Sequence, residues 1–349
     1  MLTPALDGAD GLSALSRLVI GAIGGPVEAW TLRGEPGDRR PDVQADVWCA
    51  CGSRTRLVSR AVRRAALPLS GLTVIVTHVH LAPIALLLAA RGARLVVFLV
   101  GVECWRPLRA RERRALESAD RVIAISHDTE RRFRRANPQI VLPNGIVVCH
   151  PAVQAAQRPP RPAADGGFAL IVGRMWAEER YKGHDQLIDV WPSVCAGVPA
   201  AALVIAGDGD DRGRLEARVA AEGLTGAIRF TGRVSDAVLA DLYAACRCLV
   251  MPSANEGFGL VYLEAMRAGK PCVALHGAAD EIITDGVDGL VIDAQAASLR
   301  DAMIRMLSDA PLARRMGLAA RHKVAARFSD RAFGERFGDA IGCSLVPAE

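Results

Sequence analysis

Residues 248–266 read "CLVMPSANEGFGLVYLEAM". An apolar run is followed by a glycine-broken turn and then by an apolar pattern of helical length, which predicts strand, turn and helix in succession. The turn carries Glu256 and the helix carries Glu264. A carboxylate beside a core is strongly unfavourable unless something meets its charge. Gly257 and Gly259 allow the backbone to approach a ligand closely. The start of a helix running to about Ala268 offers unpaired N–H groups and partial positive charge, a setting suited to phosphate. Glu264 then lies about 7 Å along the helix axis from Gly259. Two acids are useless as phosphate ligands, but they suit hydroxyls of sugars on either side of a diphosphate. The plainer alternative is two structural carboxylates satisfied by backbone or arginine.

The same strand–helix rhythm extends in both directions. Strands are expected at 169–173, 201–207, 227–232, 248–253, 271–276 and 289–293, with helices between most of them, one of them capped by Ser235. Strands apolar on both faces and alternating with helices indicate a parallel sheet covered on each side. The N-terminal half shows the pattern less cleanly, at 1–6, 27–32, 46–50, 73–79, 94–100, 121–126 and 140–144. The proline- and alanine-rich stretch 151–167 separates the two. At 349 residues the chain exceeds what one core usually serves. The expectation is an α/β protein of two doubly wound, Rossmann-like domains, 1–155 and 166–327, with a final helical pattern in 328–349 packing back on the first. Ligands of such sheets sit at the carboxyl ends of the strands, which puts the expected site in a cleft between the two.

Composition excludes several classes. With 51% hydrophobic residues the chain is globular, not disordered. The most apolar stretch, 81–102, is broken by Arg91 and Arg94, so no membrane span is expected. The opening "MLTPALDGADG" lacks a basic region before an apolar run, so no secretory leader is expected either. Nine scattered cysteines fit a reducing cytoplasm. The pairs Cys49/Cys51 and Cys246/Cys248 lack the spacing and further ligands of a zinc site and read as buried thiols. Residues 1–150 hold 21 arginines against 13 acids, whereas the remainder holds 22 bases against 25 acids. The basic stretch "WRPLRARERRALESADR" (105–121) reads as a solvated helix face or as a contact for anionic lipid. Aromatic residues at 5% and the absence of a groove-reading or stacking motif argue against nucleic acid.

Two further motifs lie in the C-terminal half. In "VGRMWAEERYKGHDQLI" (172–188), Arg174 stands at a strand end and Lys182 before a helix, a cationic clamp suited to a leaving diphosphate. Either alone also reads as a solvated base. The chain has only three lysines against 40 arginines. "AGDGDDRGRLE" (206–216) contains Asp208 and Asp210 in an Asp-x-Asp pattern and lacks a full dinucleotide fingerprint; it reads as a loop turn.

From "IVGR" (171–174) through "YKGHDQLI", "IRFTGRVSD" and "NEGFGLVYLEAMRAGKPCVA" to "DEIITDGVDGLVID" (280–293), the chain resembles the family 4 glycosyltransferases, retaining enzymes of the GT-B fold. The resemblance implies that Arg174 and Lys182 neutralise a donor diphosphate and that Glu256 holds donor-sugar hydroxyls. It also implies that Gly257, Phe258, Gly259 and Leu260 meet sugar and phosphate through their backbone, that Glu264 binds the ribose, and that Gly232, Arg233 and Val234 face the base. On the acceptor side it points to Asp7, Asp10, Gly11 and Glu103, with His78 at a strand end as a further candidate. A histidine often found in this family is Val100 here.

The expected activity is hexosyl transfer from a nucleotide-diphosphate sugar to a hydroxyl of a glycan or lipid-linked acceptor, in polysaccharide or glycolipid biosynthesis. No metal or other cofactor is expected. The expected location is the cytoplasm, with peripheral contact at the inner face of the membrane through the basic N-terminal half. A nucleotide-sugar epimerase on the same scaffold and a non-catalytic partner protein are the rival readings.

Overall fold

The computed structural model describes residues 1–8, 10–34, 44–153 and 167–342. The chain divides into two compact units, one of Met1–Gln154 with Phe328–Glu349 and one of Ala155–Arg327. Most of the proline-rich stretch 151–167 lies outside the described residues.

In the first unit, seven strands form one parallel sheet: β1 (Leu2–Thr3), β2 (Glu28–Thr31), β3 (Asp46–Cys49), β4 (Thr73–Val76), β5 (Arg94–Leu99), β6 (Arg121–Ala124) and β7 (Ile146–Val148). Helices α1 (Gly11–Ile23), α2 (Arg54–Ala65), α3 (Ala82–Ala89), α4 (Ala110–Glu117) and α5 (His127–Ala136) connect them. The strand order is β3-β2-β1-β4-β5-β6-β7. Leu95 to Leu99 of β5 are buried without a break, as a strand covered on both faces requires.

The second unit repeats the plan. Strands β8 (Phe168–Val172), β9 (Ala202–Ala206), β10 (Ile228–Gly232), β11 (Cys248–Met251), β12 (Cys272–Leu275) and β13 (Gly289–Ile292) lie in the order β10-β9-β8-β11-β12-β13. The helices are α6 (His184–Gly197), α7 (Arg212–Ala221), α8 (Asp236–Ala245), α9 (Leu260–Arg267), α10 (Ala296–Ser308) and α11 (Ala310–Arg327). Trp191, Ile171, Leu203, Val250 and Met303 belong to its core. In each unit the strand order reverses beside the first strand, between β1 and β4 and between β8 and β11. At such a point neighbouring loops diverge and leave a crevice at the carboxyl edge.

Where the chain departs from expectation, proline and turn chemistry explain it. The stretch 140–144 is no strand. Pro143 has no N–H to donate, Gly145 turns at φ 64°, and the edge strand begins only at Ile146. The first strand ends at Thr3 because Pro4 follows. The β4 run stops at Val76, and His78 instead caps a short 3-10 turn, Val79–Leu81.

Helix α12 (Asp330–Ile341), capped by Ser329, belongs to the first unit. Its Phe333 and Phe337 rings stack 5.6 Å apart, and Phe337 lies 5.9 Å from Phe98 of β5. The Arg94 guanidinium donates to the Ile341 carbonyl at the end of the helix. Phe337 is fully buried. Phe337→Ala should therefore destabilise the first unit by about 3–5 kcal/mol, the usual cost of emptying an aromatic core position. Chemical denaturation checks this, and an unchanged midpoint would show that the helix is not docked.

Candidate active site

The carboxyl edge of the second unit gathers the loops that follow β8, β9, β10 and β11. The first two are locked by glycine. Gly207, at φ 142°, lies so close to the β8 loop that a Cβ there would sit 1.9 Å from the Gly173 carbonyl oxygen, and one on Gly209 would sit 2.1 Å from that of Met175. The Met175 N–H donates to the Asp208 carbonyl (3.0 Å), and the Asp211 N–H donates to the Met175 carbonyl (2.9 Å). Asp210 accepts the Ala177 N–H at 2.8 Å, while Asp208 accepts the Gly209 N–H and lies 3.7 Å from Arg212. Both carboxylates of the Asp-x-Asp pattern thus serve the loop itself. Gly207 also donates to the carbonyl of Gly232, which ties in the β10 loop with exposed Arg233 and half-buried Val234.

Arg174 leaves the end of β8 with a side chain 56% exposed and pairs with Glu179 at 2.5 Å. A 3-10 segment, Ala177–Lys182, then brings the chain to Gly183. This glycine, at φ 93°, lies against the end of β11; a Cβ would stand 2.5 Å from Pro252 Cγ. That contact places Lys182 Nζ 3.0 Å from Glu256 Oε1, with side chains only 14% and 17% exposed. The Ser253 hydroxyl donates to the same oxygen at 3.1 Å. Burial opposes the charge on Lys182, but Glu256 more than offsets it and raises the ammonium pKa. Next to this pair His184 is buried, its pKa lowered to about 4 by burial and then by the Lys182 charge. The imidazole is therefore neutral near pH 7.

Helix α9 starts at Gly259, whose φ of 98° leaves no room for a side chain above the Tyr262 ring. No side chain caps this helix, which leaves the positive end of its dipole at the loop after β11. Phe258 is buried, and Gly257 and Leu260 are half-buried. Glu264 lies further along α9 and accepts the Tyr243 hydroxyl at 2.7 Å. Burial raises its pKa.

The expected acceptor-side residues sit at the carboxyl edge of the first sheet, after β1, β4 and β5. Three of them have local work. Asp10 caps α1, accepting the N–H groups of Leu12 and Ser13 at 3.0 Å and the Ser13 hydroxyl, and Gly11 opens the helix. Glu103 accepts the N–H groups of Val100 and Gly101. His78 accepts the His80 N–H, and burial lowers its pKa to about 4. Asp7 is exposed. The basic stretch 105–121 is not simply a solvated face: Glu112 within it is buried and receives Arg106 and the Arg109 N–H, and Arg132 lies 4.4 Å from the Trp105 ring. Of the four closely spaced free cysteines, Cys49, Cys246 and Cys248 are buried as expected, but Cys51, at φ 50°, is exposed.

Ser253, Glu179, His184 and Tyr243 surround these groups, and no motif pointed to them. Ser253, Glu179 and Tyr243 meet their partners through a turn or a helix–helix contact that periodicity does not encode, whereas His184 Nε2 has no hydrogen-bond partner among the described residues.

A family model described as "Glycosyl transferases group 1" matches residues 154–323. The GDP-mannose-dependent alpha-(1-6)-phosphatidylinositol monomannoside mannosyltransferase of Mycolicibacterium smegmatis is 30% identical over 285 residues, 74% of each chain. The alpha-D-kanosaminyltransferase of Streptomyces kanamyceticus is 33% identical over 49% of this chain and 44% of its own, so the match spans under half of that relative's length. Among solved structures, Anabaena HepE in complex with UDP and glucose shares the GT-B fold, with a TM-score of 0.77, 18% identity and 98% of each chain covered.

The loop lock yields a paired test. Gly207→Ala should destabilise the second unit by more than about 2 kcal/mol, because backbone must move. Gly213→Ala, in a helix with nothing within 4 Å of the new methyl, should be neutral or slightly stabilising. Thermal melts of the two variants separate these outcomes.

Proposed function

Because the chain belongs to the group 1 glycosyl transferases, we propose that it moves a hexosyl group, with retention, from a nucleotide-diphosphate sugar to a hydroxyl of a glycan or lipid-linked acceptor in polysaccharide or glycolipid biosynthesis. The observation that carries this reading is the half-buried Lys182–Glu256 pair beside the uncapped start of α9. A cation, a carboxylate and a helix N-terminus at one crevice match the three parts of such a donor: phosphate, sugar hydroxyl and phosphate again.

In this reading Arg174, Lys182 and the backbone of Gly257, Phe258, Gly259 and Leu260 receive the diphosphate. Glu256 accepts from hydroxyls of the transferred sugar, Glu264 from the ribose, and Gly232, Arg233 and Val234 flank the base. Asp7, Asp10, Gly11, Glu103 and His78 mark the acceptor side. The bond from anomeric carbon to diphosphate breaks as a new bond to the acceptor oxygen forms on the same face, and the acceptor proton passes to the departing phosphate oxygen. Charge building on that oxygen is met by fixed cations and a helix dipole, and the reading assigns no cofactor and no metal to the step.

Lys182 is the better placed of the two cations, since its surroundings are nearly dry whereas Arg174 faces water. Lys182→Ala should lower kcat by about 10²–10³, and Arg174→Ala by roughly tenfold. Steady-state transfer or donor hydrolysis measures both. If the double variant keeps full turnover and full nucleotide binding, the donor assignment fails.

The same reading places the chain in the cytoplasm, in peripheral contact with anionic lipid. None of the described helices is long and apolar enough to cross a membrane. The surface suited to contact is α2 more than the 105–121 stretch. Arg60 of α2 turns inward over Trp48 at 4.6 Å, while Arg54, Arg56 and Arg63 stay exposed beside Val62 (55%) and nearby Leu67 (58%). No acid occurs anywhere in residues 47–102. At about 1 kcal/mol per charge near an anionic surface, reversing Arg54, Arg56 and Arg63 to Glu should abolish co-sedimentation with phosphatidylglycerol vesicles. Equal binding of wild type to neutral phosphatidylcholine vesicles would count against this contact.

A further inference from the structure

Tyr243 is the single fully buried residue of α8 among those described, and its hydroxyl reaches across to α9. Burial, and then the neighbouring Glu264 charge, hold its phenol pKa well above the usual value. The O–H donates to Glu264 Oε2 at 2.7 Å. Glu264 itself is half-buried. Its other oxygen, Oε1, has no hydrogen-bond partner among the described residues. The carboxylate is thus held at one oxygen, with the second left to accept from a ligand. A carboxylate accepts only from donors, so a hydroxyl is a suitable guest and a phosphate is not.

We propose that Tyr243 is a positioning residue that orients Glu264 Oε1 toward the ribose hydroxyls of the donor, and that the pair makes the site select ribonucleotides over deoxyribonucleotides. This rests on the donor-site reading above. An unheld glutamate would sample several rotamers and lose entropy on binding; one already bonded at Oε2 loses little. A site built around a hydroxyl also rejects a ligand lacking it, since Oε1 then faces the gap unpaired.

The test is titration calorimetry of the full chain with UDP and GDP and with their 2′-deoxy and 3′-deoxy forms. Wild type should prefer the better ribonucleotide over one of its deoxy analogues by about tenfold or more. Tyr243→Phe removes one oxygen and opens no cavity. It should weaken the ribonucleotide about fivefold, leave the deoxy analogue nearly unchanged, and cut the preference to about threefold or less. In a Glu264→Gln background the same change should have no further effect on the preference. If Tyr243→Phe lowers the melting temperature but keeps the wild-type preference, or if the two substitutions add independently, Tyr243 only packs α8 and the inference falls while the donor reading stands. If wild type binds none of these nucleotides, or does not distinguish ribose from deoxyribose, the assignment of Glu264 falls, and this inference with it.

Discussion

The candidate site of the second unit depends on one half-buried ion pair. Lys182 comes from the segment after β8 and Glu256 from the loop after β11, so their contact bridges the two strands at which the sheet order reverses. Each partner has given up most of its water, and such a pair is stable only when opposite charge and hydrogen bonds replace what was lost. Ser253 supplies one of those bonds. Gly183 makes the approach possible, because any side chain there would collide with Pro252. Two glycines on the neighbouring β9 loop then hold the β8 loop from the other side. The pair is thus the centre of a small frame made of backbone against backbone, and that frame keeps charged groups in place at an edge otherwise made of turns.

The chain uses its two kinds of cation differently. Beside the site, Arg214 forks onto Asp185 at 2.8 and 2.7 Å, and Arg214 and Arg180 both hold Asp211. Arg218 adds bonds to Asp185 and Glu222. These planar, multiply bonded guanidinium groups fasten α6 to α7 and to the β9 loop. They hold the Asp211 carboxyl well below the usual range, with Arg214 contributing most. Lys182 is a compact charge on a flexible stem and bonds a single carboxylate. The multiply bonded arginines thus hold the surrounding elements, and the single Lys182–Glu256 contact sits within that network.

Much of the fold could be read from periodicity. All six strands of the second unit lie where apolar runs predicted them, and Ser235 caps α8 as its position suggested. The first unit was harder to read for identifiable reasons. Its β1 has two residues before Pro4, so there is almost no run to recognise. Its β7 is a half-buried edge strand of three residues behind a turn, and residues 140–142 ahead of Pro143 form a comparably apolar run, so composition does not distinguish the two. Asp10, Glu103 and His78 stand at the expected edge of the sheet, yet each is engaged by nearby N–H groups, which no single-residue reading could foresee.

Residue order along the chain was enough to specify two strand–helix alternations, the glycine turn before α9 and the identities of the charged groups near it. These follow from periodicity, chain flexibility and capping, which act over a handful of neighbours. Which charge meets which was left to the folded molecule. Lys182 and Glu256 are 74 positions apart, and Tyr243 and Glu264 are 21 apart on different helices. Nothing local to either residue of these pairs encodes the other. They meet because a parallel sheet with a reversed strand order brings distant loops to one edge, and because glycine at 183, 207 and 209 lets those loops close to backbone distance.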